Sequence, residues 1–184
     1  VVVLDALTRA GVGSSMAAVE HRIRFGHADS VDQPLVEQVL ADEQVDVVVN
    51  GAAESHNSLA VIDPDRFFAT NVLGTQRLLD ACRVQGGVRF HHISTCEVYG
   101  DLALDATEPF NESSPYAPRT PYNASKAGVD HAVRASSATF GLPISITHCA
   151  NNTGPGHCPE KASPHCVTRG IRASGAPRNG AAPS

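Results

Sequence analysis

Long hydrophobic runs are missing from this 184-residue sequence, in which no apolar run exceeds four residues. A membrane-spanning helix needs roughly 20 apolar residues, and a secretory signal has an apolar region of about 7–15. We therefore expect a soluble, cytoplasmic protein that does not bind membranes. The length suits one domain, with a core that buries about 70% of the unfolded surface.

Positive charge is also scarce. The 14 Lys and Arg residues stand against 19 Asp and Glu, which gives a formal net charge of −5. Proteins that bind nucleic acid use clustered cations to displace the counterions of the phosphate backbone. We therefore expect no nucleic-acid partner.

The cysteines lack the arrangement of a disulfide framework or a metal site. There are five, an odd number, and no two of them have C-x-x-C spacing. Without a secretory signal, this pattern argues against structural disulfides. Two His-Cys pairs, His157-Cys158 and His165-Cys166, also lack the ligand spacing of zinc sites. We expect no bound metal.

The sequence does contain an alternation of short apolar runs with helix-like stretches. Runs rich in Val and Ile predict strands over Val1–Asp5, Arg22–His27, Val45–Gly51, Val88–Ser94 and Ile144–Cys149. Apolar spacing and Pro at helix starts predict helices over Val31–Glu43, Pro64–Arg83 and Pro121–Phe140. This alternation predicts a parallel α/β sheet.

Two segments depart from the alternation. Polar residues and proline dominate between Tyr99 and Thr120, so we expect a long surface excursion that serves a site. From Cys158 to the end, Val167 and Ile171 are the only large aliphatic residues. We expect a poorly ordered tail there, either a basic arm or an end without the segment on which it packs.

Tyr122 and Lys126 lie four residues apart at the start of the last predicted helix, one turn apart on the same face. A nearby ammonium favours a phenolate, so we expect Lys126 to lower the pKa of Tyr122. Such a tyrosine is a competent base for the hydroxyl of a sugar or an alcohol. The same spacing also occurs by chance, as a half-buried tyrosine beside a solvated lysine.

A second polar group follows the fourth predicted strand, where Thr95, Cys96 and Glu97 stand in sequence. In open α/β sheets, ligands bind at the carboxyl ends of the strands. A hydroxyl, a thiol and a carboxylate would emerge together at that edge. The alternative is a capped loop in which Glu97 faces water. Upstream, His91 and His92 lie inside the strand, where we expect core histidines rather than ligands.

Two further places suit a dinucleotide. Asp5 ends the first predicted strand, where an acidic residue can bind both ribose hydroxyls of NAD and repel the 2′-phosphate of NADP. Gly51–Ser55 follows the third strand with small residues that allow a cofactor close to the backbone. The expected G-x-G-x-x-G would precede Asp5 by about 20 residues, so we interpret the chain as a fragment that starts inside a domain.

Five motifs together resemble one known family, the dTDP-glucose 4,6-dehydratases, which are extended short-chain dehydrogenase/reductases. The motifs are Ala52–His56, Thr70–Thr75, Phe90–Leu102, Tyr122–Lys126 and Asn151–Pro155. The resemblance runs from Val1 to about Lys161. It implies an α/β fold with a Rossmann-like doubly wound parallel sheet whose first βα unit is missing.

The resemblance also implies the organisation of the chain and its partners. Residues 1–157 would form a partial NAD-binding domain, and residues 158–184 would begin a substrate-binding region. The substrate would be a nucleotide sugar, dTDP-glucose. A homodimer would form through the helices Pro64–Arg83 and Pro121–Phe140.

The resemblance further implies a set of binding residues. NAD would bind Asp5 and Thr8 at the adenosine ribose, Asp29 and Ser30 at the adenine, and Ala52, Ala53, Glu54, Ser55, Thr70 and Asn152 along the rest, together with Tyr122 and Lys126. The substrate would contact Ser55, Thr95, Asn151 and Lys161.

For the chemistry, the resemblance implies that Tyr122 takes the proton of the glucose 4-hydroxyl while Lys126 bonds the nicotinamide ribose. Thr95 would steady the forming ketone. Glu97 would remove the proton of carbon 5, and residue 96 would protonate the departing 6-hydroxyl. The family pattern at these positions is Thr-Asp-Glu, whereas this sequence has Cys96 in the middle. A thiol with a pKa of about 8.5 is mostly protonated at neutral pH and is a weak hydrogen-bond donor.

Other departures affect the neighbouring segments. His56-Asn57-Ser58-Leu59-Ala60 stands where the family has His-Val-Asp-Arg-Ser, and Thr153, Cys158 and Ala162-Ser163 also differ from the family pattern.

Three alternatives remain open for the function. A nucleotide-sugar 4-epimerase or a UDP-glucuronate decarboxylase would share Tyr122, Lys126 and NAD but need no acid at position 96. The chain could also be a non-catalytic remnant.

Overall fold

Five parallel strands form two sheets in the computed structural model, which describes residues 1–8, 11, 13–152 and 154. Strands β1 (Val2–Asp5) and β2 (Arg24–His27) pair with each other. Strands β3 (Val47–Asn50), β4 (Arg89–Thr95) and β5 (Ile144–Cys149) form a second sheet in that order. The parallel pairing confirms the predicted α/β class, and all five predicted strands are present with ends that shift by up to two residues.

The helices follow the strands, as predicted. They are α1 (Gln33–Asp42), α2 (Asn57–Ile62), α3 (Pro64–Phe67), α4 (Thr75–Gln85) and α5 (Pro121–Phe140). A π-helical segment, Phe68–Gly74, joins α3 to α4. The prediction of one regular helix over Pro64–Arg83 was therefore wrong in its interior, and α2 was missed because six residues are too few for a periodic pattern.

Side-chain caps and proline mark the starts of α1, α3 and α5. The side chains of Asp32, Asp63 and Thr120 accept hydrogen bonds from the backbone N–H three residues further on, and each helix has proline in its first two positions. Such caps satisfy a backbone donor that has no partner inside the helix. None of the helices in the described part of the chain has the length and hydrophobicity needed to cross a bilayer.

The main core lies between the β3–β5 sheet and helices α1, α4 and α5. Its fully buried members include Leu79 and Cys82 of α4, Phe90 of β4, and Val129 and Val133 of α5. Burial raises the pKa of the Cys82 thiol to about 12, so this cysteine stays protonated and inert.

The segment from Gly100 to Thr120 contains no helix or strand, as the sequence predicts. It folds back on the end of β4, where Ala117 N donates to Val98 O at 3.0 Å. Gly100 has φ +89°, and a Cβ there would lie 2.5 Å from Ala117 O. The return of the excursion therefore requires glycine at this position.

Strands β1 and β3 do not pair, and their facing edges border a cavity of about 540 Å³. Apolar residues of both strands line it, among them Leu4 and Val48. The arrangement agrees with the prediction of a Rossmann-like parallel sheet. The chain divides into two units, Val1–Ala150 and Asn151–Ser184. The tail predicted from residue 158 lies outside the described residues.

Candidate active site

The carboxyl end of β4 turns sharply at Thr95. The Thr95 side chain accepts a hydrogen bond from Glu97 N at 3.3 Å and so caps the short 3₁₀ helix Cys96–Tyr99. Thr95 is buried, and Cys96 and Glu97 are half-buried. Glu97 does not face water as a loop residue, because its Oε2 accepts a hydrogen bond from Asn57 Nδ2 at 3.0 Å.

Tyr122 and Lys126 lie in the first two turns of α5, next to this turn. Their relative exposures are 8% and 2%, so neither is the solvated residue of the chance alternative. The ring of Tyr122 packs edge-on against Phe67, with 6.3 Å between the centroids. Its hydroxyl is hydrogen-bonded to the Thr95 side chain, and the charge of Glu97 acts on it. The structure thus brings together Thr95, Glu97 and Tyr122.

The pKa of Tyr122 differs from the prediction. Burial first, and then the negative charge of Glu97, raise it to about 12, while the bond with Thr95 opposes the shift. The expectation that Lys126 lowers this pKa was wrong for the structure as it stands. The Lys126 ammonium is directed away, donating to the backbone oxygen of Ile93 at 2.8 Å.

Lys126 is unusual for a buried lysine. Desolvation lowers its pKa to about 8, and the charge of Asp130 opposes the shift. Its Nζ also lies 3.3 Å from Nε2 of His92, a fully buried histidine of β4. Burial and the Lys126 charge lower the pKa of His92 to about 3, so this imidazole is neutral in the folded protein.

Asp130 is the centre of a buried polar network beneath these residues. Its Oδ2 accepts hydrogen bonds from Ser94 Oγ at 2.9 Å, Tyr116 OH at 3.0 Å and His148 Nε2 at 3.0 Å. Its Oδ1 lies 3.6 Å from His92 Nε2. The sequence reasoning missed Asp130, although its spacing of four from Lys126 places it on the same helix face.

Both ring nitrogens of His92 have polar neighbours. Nδ1 lies 3.3 Å from Asn50 Nδ2, and Nε2 lies 3.3 Å from Lys126 Nζ and 3.6 Å from Asp130 Oδ1. His91, on the opposite side of the strand, contacts Ser145 Oγ at 2.7 Å. His92 is a buried core histidine, as predicted, whereas His91 is only partly buried.

Asn71, in the π-helical segment, is a second residue that the sequence reasoning missed. It is 1% exposed. Its Oδ1 accepts from Glu54 N at 2.9 Å, and its Nδ2 donates to Glu54 O at 3.0 Å and to Ser125 Oγ at 2.9 Å. Ser125 Oγ in turn donates to Tyr122 O. Asn71 therefore joins the loop after β3 to the helix that bears Tyr122.

The cavity between β1 and β3 collects most of the predicted cofactor residues. It is lined by Asp5, Thr8, Asp29, Ser30, Ala52, Ala53, Glu54 and Thr70. Its lining, within the described part of the chain, contains no Lys or Arg. Asn50 also lines it and leads to Lys126 through His92.

The remaining predicted residues are placed elsewhere. In the described structure Ser55, Tyr122 and Lys126 are not among the residues that line this cavity. Asn151 and Asn152 belong to the second unit, and Lys161 lies outside the described residues. The two His-Cys pairs at 157–158 and 165–166 also lie outside them.

Comparison with known proteins identifies the family. The model of the GDP-mannose 4,6 dehydratase family matches residues 4–178. The chain belongs to the GDP-mannose 4,6 dehydratase family. The resemblance to dTDP-glucose 4,6-dehydratases is also confirmed. A curated enzyme of that name from Mycobacterium tuberculosis is 49% identical over 168 residues, which are 91% of this chain and 50% of the relative.

Solved structures of family relatives agree with the fold. A dTDP-glucose 4,6-dehydratase from Streptomyces venezuelae, solved with NAD bound, has a TM-score of 0.87 and 42% identity over 94% of this chain and 52% of the other. A UDP-glucose 4-epimerase from Brucella ovis, solved with NAD, has a TM-score of 0.75 and 29% identity over 83% and 45% of the two chains. The chain thus spans about half the length of these relatives, and its Rossmann-like fold is confirmed.

Proposed function

We propose that the whole protein is a nucleotide-sugar 4,6-dehydratase that uses NAD and converts dTDP-glucose to dTDP-4-keto-6-deoxyglucose. The main support is the convergence of the Tyr122 phenol, the Thr95 hydroxyl and the Glu97 carboxylate at the carboxyl end of β4. The reaction needs a group for the 4-hydroxyl proton and a second base for carbon 5. Relatives named dTDP-glucose 4,6-dehydratase support the substrate.

The cavity between β1 and β3 fits the adenosine part of NAD. Asp5 ends β1 with Oδ1 accepting from Leu7 N at 2.7 Å, which fixes the carboxylate in the lining of the cavity. Carboxylates of this kind accept hydrogen bonds from ribose hydroxyls. With Asp5, Asp29 and Glu54 in the lining and no cation among its described residues, a 2′-phosphate would be repelled. The residues present therefore favour NAD over NADP.

Bound NAD would supply a hydride acceptor for carbon 4 and a hydride donor for carbon 6. Tyr122 would take the proton of the 4-hydroxyl, and Thr95 would donate a hydrogen bond to the oxygen as it becomes a carbonyl. Because the pKa of Tyr122 is raised in the structure, ionising it requires a cation close by. We assign this role to Lys126, which must turn from Ile93 O toward the phenol when the site is filled.

Glu97 and Cys96 would act in the elimination. Oxidation at carbon 4 acidifies the hydrogen on carbon 5, and Glu97 would remove it. Cys96 follows Thr95 directly and would donate a proton to the 6-hydroxyl as water leaves. Ser55, Asn151 and Lys161 remain the residues proposed to hold the substrate. We also propose a homodimer through the helical run Pro64–Gln85 and α5, in the cytoplasm.

Product analysis with purified protein tests this function. We expect dTDP-glucose to give a 4-keto-6-deoxy sugar, recognised by mass spectrometry as loss of one water. A 4-epimer formed from a nucleotide hexose would instead favour the epimerase, and a nucleotide pentose formed from UDP-glucuronate would favour the decarboxylase. Either result would overturn the dehydratase proposal.

A further inference from the structure

Asn57, the first residue of α2, links two parts of the site that are far apart in sequence. Its Nδ2 donates to Glu97 Oε2 at 3.0 Å. Its Oδ1 accepts from Thr120 Oγ1 at 2.9 Å. Thr120 is the N-cap of α5, because its Oγ1 also accepts from Asn123 N at 3.1 Å. A continuous chain of hydrogen bonds thus runs from the start of α5 to the carboxylate.

The Glu97 carboxylate, which can only accept, fixes the orientation of the Asn57 amide. With the amide reversed, Asn57 Oδ1 would face Glu97 Oε2, and two acceptors would meet without a proton between them. The observed direction places the N–H on the carboxylate and leaves Oδ1 for the Thr120 hydroxyl. The amide therefore stabilises Glu97 as an acceptor, and a hydrogen bond to a charged group is among the stronger ones.

Within the described residues, Asn57 Nδ2 is the only side-chain group hydrogen-bonded to the Glu97 carboxylate. Glu97 is half-buried on a short 3₁₀ helix, and its side chain has three rotatable bonds. A base must lie within hydrogen-bonding reach of the proton that it removes, so its rotamer matters as much as its presence.

We propose that Asn57 is a positioning residue that holds the Glu97 carboxylate for proton removal at carbon 5. It sets that position relative to Tyr122, because the bond to Thr120 ties the amide to the helix that bears the tyrosine. Tyr122 and Glu97, the groups for the two proton transfers, are thus linked by one chain of hydrogen bonds. This inference rests on the proposed function for the role of Glu97.

A stability cycle tests the link without any substrate. The four proteins are wild type, Asn57→Leu, Glu97→Leu and the double variant, compared by Tm. We expect Asn57→Leu to lower Tm more in the wild type than in Glu97→Leu, where only the hydrogen bond with Thr120 is left to lose, since coupled residues are non-additive. Additive losses in Tm would overturn the link. Ser58→Ala, an exposed change in the same turn, is the control.

A second variant covers the case in which leucine prevents folding. Asn57→Asp has the same size but sets a second carboxylate against Glu97. We expect its Tm deficit at neutral pH to disappear below about pH 4, where carboxylates become protonated. A deficit that does not depend on pH would overturn the link, because lost packing does not titrate.

The partition between oxidation and elimination tests the role. With dTDP-glucose and bound NAD, Asn57→Leu should form reduced nicotinamide at a rate near that of wild type. The rate of 4-keto-6-deoxy sugar formation should fall at least about tenfold, since misplacing a group by about 1 Å costs up to about 10²-fold. Equal loss of both steps, or of neither, would overturn the proposal. If wild type does not oxidise dTDP-glucose, the proposed function fails, while the stability cycle still decides the link.

Discussion

The Nζ of Lys126 lies 3.3 Å from Nε2 of His92, and both side chains are almost fully buried. A potential cation therefore faces an imidazole where water cannot screen the charge. The pKa of each group is lowered, that of Lys126 to about 8 and that of His92 to about 3. Burial is the main cause of the neutral His92, with the Lys126 charge adding to the shift, and burial brings the pKa of Lys126 close to physiological pH.

The first prediction concerns acid stability. The pKa of His92 is about 3 in the folded protein, against 6.5 for an unperturbed histidine, so the unfolded chain binds an extra proton between these values. Stability should fall as pH drops through that window, by up to about 1.4 kcal/mol per pH unit. Burial is the largest cause of the shift, and the charges of Lys126, His148 and His91 add to it.

Urea unfolding at a series of pH values measures the effect. His92→Gln should remove this component of the slope, and the exposed His21→Gln should retain it. Identical slopes in wild type and His92→Gln would show that His92 does not carry the proton linkage.

The second prediction concerns the phenol. Tyr122→Phe keeps the edge contact with Phe67 but removes the hydroxyl that bonds Thr95. Formation of reduced nicotinamide with dTDP-glucose should fall by about 10²–10⁴-fold, the usual effect of losing an acid–base group. NAD affinity, measured by calorimetry, should change little. Tyr99→Phe is the matched control, and normal single-turnover rates in Tyr122→Phe would exclude the assigned role.

The third prediction concerns Cys96, which stands where an acid is expected. A carboxylic acid bonds a departing hydroxyl more strongly than a thiol, so Cys96→Asp should speed elimination and Cys96→Ala should slow it. Oxidation at carbon 4 should not change in either variant. The assay is the rate of 4-keto-6-deoxy sugar formation at equal NAD occupancy, with a reductant present against thiol oxidation. Equal rates in all three proteins would mean that residue 96 is not the acid.

The fourth prediction concerns Asn71. Its amide makes three hydrogen bonds within a π-helical segment, so Asn71→Leu should lose about 2–4 kcal/mol of unfolding free energy. Asn111→Leu, in the exposed excursion, should lose less than about 1 kcal/mol. Chemical denaturation measures both. Similar small losses would show that Asn71 is not a structural tie between the loop after β3 and α5.

The sequence predicts the strands and long helices because apolar spacing and Asp-Pro or Thr-Pro starts are local signals. Through the family resemblance it also predicts eight of the residues that line the cavity, whereas the predicted cofactor residues Ser55, Tyr122 and Lys126 do not line it. It does not predict the π-helical segment at Phe68–Gly74, because seven residues are too few for the period of i→i+5 bonding to differ visibly from that of an α-helix. The network of Asp130 was missed for another reason. His148 meets Ser94 through the register of β4 and β5, which is set by tertiary pairing.

The orientation of Lys126 was equally beyond sequence reasoning. A spacing of four residues places Tyr122 and Lys126 on one helix face, but it does not decide where an ammonium points. Here the backbone oxygen of Ile93 and the ring of His92 determine it. Both contacts come from β4, which is distant in sequence.

The most direct test of the account follows the hydrogen on carbon 4. dTDP-glucose carrying deuterium at that carbon is incubated with the purified protein and NAD, and the product is examined by NMR. If the protein is a 4,6-dehydratase in which bound NAD takes and returns the hydride, the deuterium must appear on carbon 6 of a 4-keto-6-deoxy sugar. Deuterium that stays at carbon 4 of an epimerised hexose, or no transfer at all, would contradict the account.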